Sequence, residues 1–196
     1  MAIRPAFLAV IGTLSLAATL YTIAWLPSLI GIKMSNPPSP NPLKVTLIPG
    51  STPSSLRVQI HNSDPQYTIS FLVWDSPLDP SAINTGILRL ANAESGDAFP
   101  GPDMKIHRLL PPPREDLVEL APGASTSRDL SLKSPWIPTD GTRCNVRMRG
   151  IWRAVWARPA AQVTSETLAS IMGDQQESTF DTGSVEMSIG GQGGDE

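Results

Sequence analysis

Two histidines, His61 and His107, and one cysteine, Cys144, are the imidazoles and the thiol that this 196-residue chain offers for proton-transfer, thiolate or soft-metal chemistry. Neither histidine stands in an H-E-x-x-H or His-x-His spacing, the arrangements that carry two imidazoles to one face for a metal ion. One thiol builds neither a cysteine-based zinc site nor an intramolecular disulfide. His61 closes an apolar run beside the Asn62-Ser63-Asp64-Pro65 turn and reads as a surface residue. His107 lies in Lys105-Ile106-His107-Arg108, a basic neighbourhood that favours the neutral imidazole. Asp75 and Asp79 flank Ser76-Pro77-Leu78, but no calcium-loop pattern surrounds them, so turn capping is their expected role. The glycines at 190, 191, 193 and 194 lie in a polar terminal run that precedes no helix and cannot cradle a phosphate. No catalytic residue, metal ligand or cofactor is expected, and the chain reads as a non-enzyme.

The charge that does carry a pattern is arginine. Arg147, Arg149 and Arg153 occupy odd positions in a stretch whose even positions are Cys144, Val146, Met148, Gly150, Trp152, Ala154 and Trp156. An alternation of period two places the apolar set inward and the arginines together on the outer face of a long strand. Such a stripe is either a solvated sheet face, paired with acids such as Asp129 or Glu186, or a docking surface for an acidic partner. Trp152 and Trp156 read as core, and Gly150 as a bulge or a close approach by another backbone. Arg108-Leu109-Leu110-Pro111-Pro112-Pro113-Arg114 has no two prolines three apart, so it fails the P-x-x-P register and reads as a stiff crossover.

The elements that must position these residues are strands. Twenty prolines and fifteen glycines punctuate short apolar runs, which suits an all-β fold and excludes a helical bundle. Strands are predicted over Leu43–Ile48, Leu56–Ile60, Tyr67–Trp74, Gly86–Leu90, Met104–Leu109, Leu117–Leu120, Thr126–Leu132, Cys144–Trp156 and Ser184–Ile189. Tyr67–Trp74 is apolar on both faces and reads as central. One short helix is predicted over Ser165–Met172, with Thr164 as N-cap and Gly173 as stop. The pattern predicts an antiparallel, immunoglobulin-like β-sandwich over 43–189, without the Cys-Trp-Cys hallmark of true immunoglobulins. A disordered tail is expected over 190–196.

Ahead of this domain, residues 1–33 form an apolar segment with Arg4 and Lys33 as its flanking charges, and 34–42 form a Pro/Ser-rich linker. The segment is long enough to cross a bilayer, and its lack of a clean small-x-small stop favours an uncleaved, single-pass membrane anchor. The alternatives are a cleaved secretion signal, with the mature chain starting near Ala18 or Thr19, and an unused extension upstream of Met34 that would leave a cytoplasmic protein. A net charge of only −3 and a charged fraction of 17% give no reason to expect a nucleic-acid partner. No asparagine stands in an Asn-x-Ser/Thr context.

Four motifs together resemble a group of small uncharacterised fungal proteins. They are Phe71-Leu72-Val73-Trp74-Asp75-Ser76-Pro77-Leu78-Asp79, Arg108-Leu109-Leu110-Pro111-Pro112, Leu120-Ala121-Pro122-Gly123, and Gly150-Ile151-Trp152-Arg153-Ala154-Val155-Trp156. The first and third, in that order, also resemble the β-sandwich propeptide of deuterolysin-type metallopeptidases. That resemblance implies an immunoglobulin-like sandwich and, more loosely, a chaperone-like or inhibitory contact with a protease. The zinc motif and the dibasic processing site of such zymogens are missing. The leading functional expectation is therefore a non-enzymatic protein-binding or adaptor domain with an unknown protein partner, docking through Arg147, Arg149 and Arg153. The alternatives are a protease-regulating module and a small-ligand carrier or accessory enzyme of a biosynthetic pathway, with Trp74, Trp152 or Trp156 lining its cavity.

Overall fold

The computed structural model describes residues 41–171 and 178–191. The expected membrane anchor, most of the linker, the Gly173 stop and the tail beyond Gly191 lie outside the described residues. Among the described residues no helix is long and apolar enough to cross a membrane.

Ten strands run β1 (Leu43–Pro49), β2 (Ser55–Asn62), β3 (Ile69–Leu72), β4 (Leu88–Asn92), β5 (Ala98–Phe99), β6 (Leu117–Leu120), β7 (Ser125–Ser131), β8 (Asp140–Trp152), β9 (Val155–Trp156) and β10 (Ser178–Gly190). They form three sheets, ordered β1-β2-β7, β10-β8-β4-β5 and β6-β3-β9, and every pairing is antiparallel. In β2 the alternation is followed closely: Leu56, Val58 and Ile60 are buried while Arg57 is exposed and ion-paired with Asp129 of β7. β3 lies between β6 and β9 with all four residues buried, the central placement that its two apolar faces require. α1 (Ser165–Ala169) is capped by Thr164, whose hydroxyl accepts from the Thr167 amide at 3.2 Å.

Most of the buried apolar side chains form one core, supplied by β1, β2, β3, β4, β6, β7, β8 and β10. At its centre the Trp152 ring meets Phe71 edge-on at 5.3 Å and Phe180 at 5.1 Å. Gly150 faces Phe180 across the β8–β10 ladder, and a Cβ added there would stand 2.7 Å from the Phe180 ring. The close approach expected at Gly150 is thus made by an aromatic ring rather than by another backbone.

Two predicted strands differ. Cys144–Trp156 is not continuous: β8 ends at Trp152, and β9 resumes at Val155 as a partner of β3 in a different sheet. The even positions other than the half-buried Gly150 stay buried throughout, but Trp156 and Ala154 enter a second core, with Leu72, Trp74, Val163, Leu168 and Ile171. Met104–Leu109 is not a strand. Its only β contact is an isolated bridge at the preceding Asp103, with Thr85, and Met104 and Leu109 stay 57% and 78% exposed. Prolines at 100, 102 and 111–113 bracket this stretch, and β4 already has β5 and β8 as its partners. The last strand is longer than predicted, running from Ser178 to Gly190, and the Gly191 amide donates to the Thr139 carbonyl.

Candidate functional site: a cationic recess beside β4 and β8

β8 carries Arg147 and Arg149 outward, as alternation requires, Arg153 follows directly after its end at Trp152, and each of the three is exposed. Their surroundings separate them. Arg147 is ion-paired with Asp181 of β10, its Nε donating to Oδ1 at 2.6 Å. These bonds hold the Asp181 carboxyl below its usual range, helped by the Gly183 amide and by the charges of Arg147 and Arg149. Arg153 is ion-paired with Asp75, its Nε donating to Oδ2 at 3.0 Å. The acids expected as their partners lie elsewhere, Asp129 on Arg57 and Glu186 on Arg143. Arg149 forms no ion pair among the described residues.

Arg149 is instead joined by two cations that the sequence pattern did not single out. Arg89 of β4 and Lys105 of the irregular 104–110 segment line the same recess as Arg149, and neither has an ion-pair partner among the described residues. The recess has a volume of about 600 Å³, and Met104, Ile106 and Ile151 line it as exposed apolar side chains, at 57%, 38% and 46%. Asp103 is the one carboxylate lining it without an ion pair among the described residues, since Asp75 is held by Arg153. Arg89 also lies directly opposite Arg147 across the β4–β8 ladder. Like charges directly opposite on one sheet face are destabilising, and the Asp181 carboxylate paired with Arg147 offsets part of that repulsion.

The signal for Arg89 was present in Leu88-Arg89-Leu90, where a charge alternates with two buried leucines. The register that sets it beside Arg147 could not be read from it. Lys105 was hidden because its segment had been read as a strand.

The other candidates for chemistry are dispersed. His61 Nδ1 lies 3.0 Å from the Ser125 hydroxyl on the outer side of the β2–β7 pair, and His107 is exposed in the 104–110 segment. Cys144 is buried in the core, and burial pushes its thiol pKa up, away from the reactive thiolate. Among the described residues no group of three or more His, Cys, Asp or Glu side chains could hold a metal ion.

Asp79 is not a simple turn cap. It is fully buried, accepts from the Asp75 and Ser81 amides at 2.8 Å each, and is ion-paired with Arg108. The Arg108 guanidinium in turn lies 5.3 Å over the Trp74 ring, whose Nε1 donates to Asp116 at 2.6 Å. Asp75, the one non-glycine residue with positive φ among those described, sits at 56° at the turn of this network. A buried Asn62 ties the Leu120-Ala121 turn to the rest, its Nδ2 donating to the carbonyls of Leu120, Ala121 and Tyr67.

This architecture defines a mainly β, immunoglobulin-like domain. The chain belongs to the immunoglobulin-like domain family, whose model matches residues 42–189. It is also 31% identical over 126 residues to a protein of Arthroderma benhamiae described as an uncharacterized secreted protein. That match spans 63% of this chain and 63% of the relative.

Proposed function

We propose that the chain is a secreted, non-enzymatic binding domain that engages another protein through the face formed by β4, the end of β8 and the 103–106 segment. One observation carries this reading: Arg89, Lys105 and Arg149 converge without ion-pair partners among the described residues, beside exposed Met104, Ile106 and Ile151. Exposed apolar side chains grouped together, with methionine and arginine among them, are a composition that interfaces favour over the rest of a protein surface. Secretion draws support from the Arthroderma benhamiae relative, and it favours reading the apolar N-terminal segment as a cleaved signal, with a mature start near Ala18 or Thr19, over an anchor. The docking stripe first expected over Arg147, Arg149 and Arg153 shifts by one strand, because Arg147 and Arg153 already have partners in the chain.

The propeptide resemblance supplies no separate reading. Its first motif has a structural explanation, since Trp74, Asp75 and Asp79 bind Asp116, Arg153 and Arg108 within the same chain.

The test places a photo-crosslinking side chain at position 151 of the full chain, added to the culture medium of its source. A recurring protein captured from position 151, and lost when Arg149→Glu is introduced, is the expected result. Equal capture from a probe at Ser127 on β7, or no capture, would overturn the reading.

A further inference from the structure

Building on that binding face, we infer that the segment it takes up is extended and acidic, with a carboxylate and an apolar side chain two residues apart. The spacing is set by β8. Arg149 and Ile151 project outward from the same strand face, two residues apart, so they repeat at the step of an extended chain, about 3.4 Å per residue. Arg89 adds a second cation from β4, and Lys105 a third between exposed Met104 and Ile106. An extended partner with glutamate or aspartate at one position and leucine, isoleucine or methionine two further on offers a carboxylate to Arg149 and an apolar contact to Ile151 in one register.

Shape favours a side chain over a flat anionic surface. The recess, at about 600 Å³, has the size of sites that enclose a discrete group, and its cations share it with an apolar rim. Charge favours the same occupant: among the described residues three cations without ion pairs face one carboxylate without one, Asp103, which suits an anionic partner.

The experiment titrates the full-length chain, by fluorescence anisotropy, into a labelled peptide in which glutamate and leucine alternate with serine between them. A second peptide of the same composition sets each glutamate directly beside a leucine, so that the two fall on opposite faces. The ordered peptide should bind, and the reordered one about tenfold more weakly. Arg89→Glu and Ile151→Ser should each weaken the ordered peptide about tenfold. Arg89→Glu should melt no lower than the parent chain, because it removes a like-charge contact, which separates lost binding from lost folding. Equal binding of both peptides, or indifference to Ile151→Ser, would reduce the site to charge alone and overturn the inference. So would Arg149-dependent binding to phosphatidylserine–phosphatidylcholine vesicles with none to the peptide. If the peptide does not bind while the crosslinked partner still depends on Arg149, the face stands and its assigned chemistry fails. If both are lost, the face itself is wrong.

Discussion

Two charged regions border each other on this domain and differ in how their charges are satisfied. In the turn after β3, Asp79 holds Arg108, Asp75 holds Arg153, and Asp116 takes the Trp74 indole, so each of these groups has a partner inside the chain. In the recess beside β4 and β8, Arg89, Lys105 and Arg149 have no ion-pair partner among the described residues, and Asp103 is the one free carboxylate. The recess touches the turn through Asp75 and Arg153, so the two regions share solvent and scaffold. Their contrast separates two uses of charge: the turn's ion pairs are accounted for by folding, whereas the cations of the recess have no such pairs among the described residues, which is the ground for the proposed binding face.

The largest expected effects fall beneath and beside the recess. Trp152→Ala removes the ring that Phe71 and Phe180 both contact, and loss of a buried tryptophan costs about 3–5 kcal/mol. Urea unfolding should show the midpoint fall accordingly, and a near-neutral result would remove the rigid floor that the recess needs. Asp79→Ala should cost about 3–5 kcal/mol by the same measurement, since breaking a buried pair strands the partly buried Arg108 and frees two amides. Little change would mean that the turn's charges are no more structural than those of the recess, and the comparison would collapse.

What was legible in the sequence follows the same division. Period-two alternation was enough for β1 and β2 and for the inward parity of β8, because one buried face imposes it directly, as at Val146, Met148 and Trp152. It failed at Met104–Leu109, where alternation is present but β4 already has β5 and β8 as its partners, and the apolar residues remain exposed. It also ran past Trp152, because a strand that changes sheets keeps its inward and outward parity while exchanging its neighbours. Of the site, Arg149 was legible as an outward residue. That Arg147 and Arg153 have partners and Arg149 does not depends on β10 and on the turn at Asp75, contacts 34 and 78 residues apart in sequence. Arg89 and Lys105 join only through tertiary register.

Smaller effects sharpen the comparison at the surface. Arg153→Ala breaks an exposed pair and should cost about 0.2–1 kcal/mol, well below Asp79→Ala although both belong to the turn network. A cost similar to that of Asp79→Ala would show that the turn network acts as one unit extending to the rim of the recess.

The smallest expected effect on stability is that of Arg149→Glu, within about 0.5 kcal/mol at neutral pH, since no ion pair is lost. Its signature should appear in acid. The Asp181 carboxyl is held low chiefly by its hydrogen bonds with Arg147 and, more weakly, by the charge of Arg149. A carboxyl whose pKa is depressed on folding contributes stability that is present above its unfolded value and lost as pH falls through its folded value. Replacing Arg149 by a carboxylate raises the folded value, so this loss should begin at a higher pH than in the parent chain, read as the onset of acid unfolding by circular dichroism. An unchanged onset would mean that solvent screens Arg149 from its own sheet. A pronounced fall in stability at neutral pH would mean instead that Arg149 is already partnered within the chain, which would place it with the turn's arginines and leave the recess with two free cations instead of three.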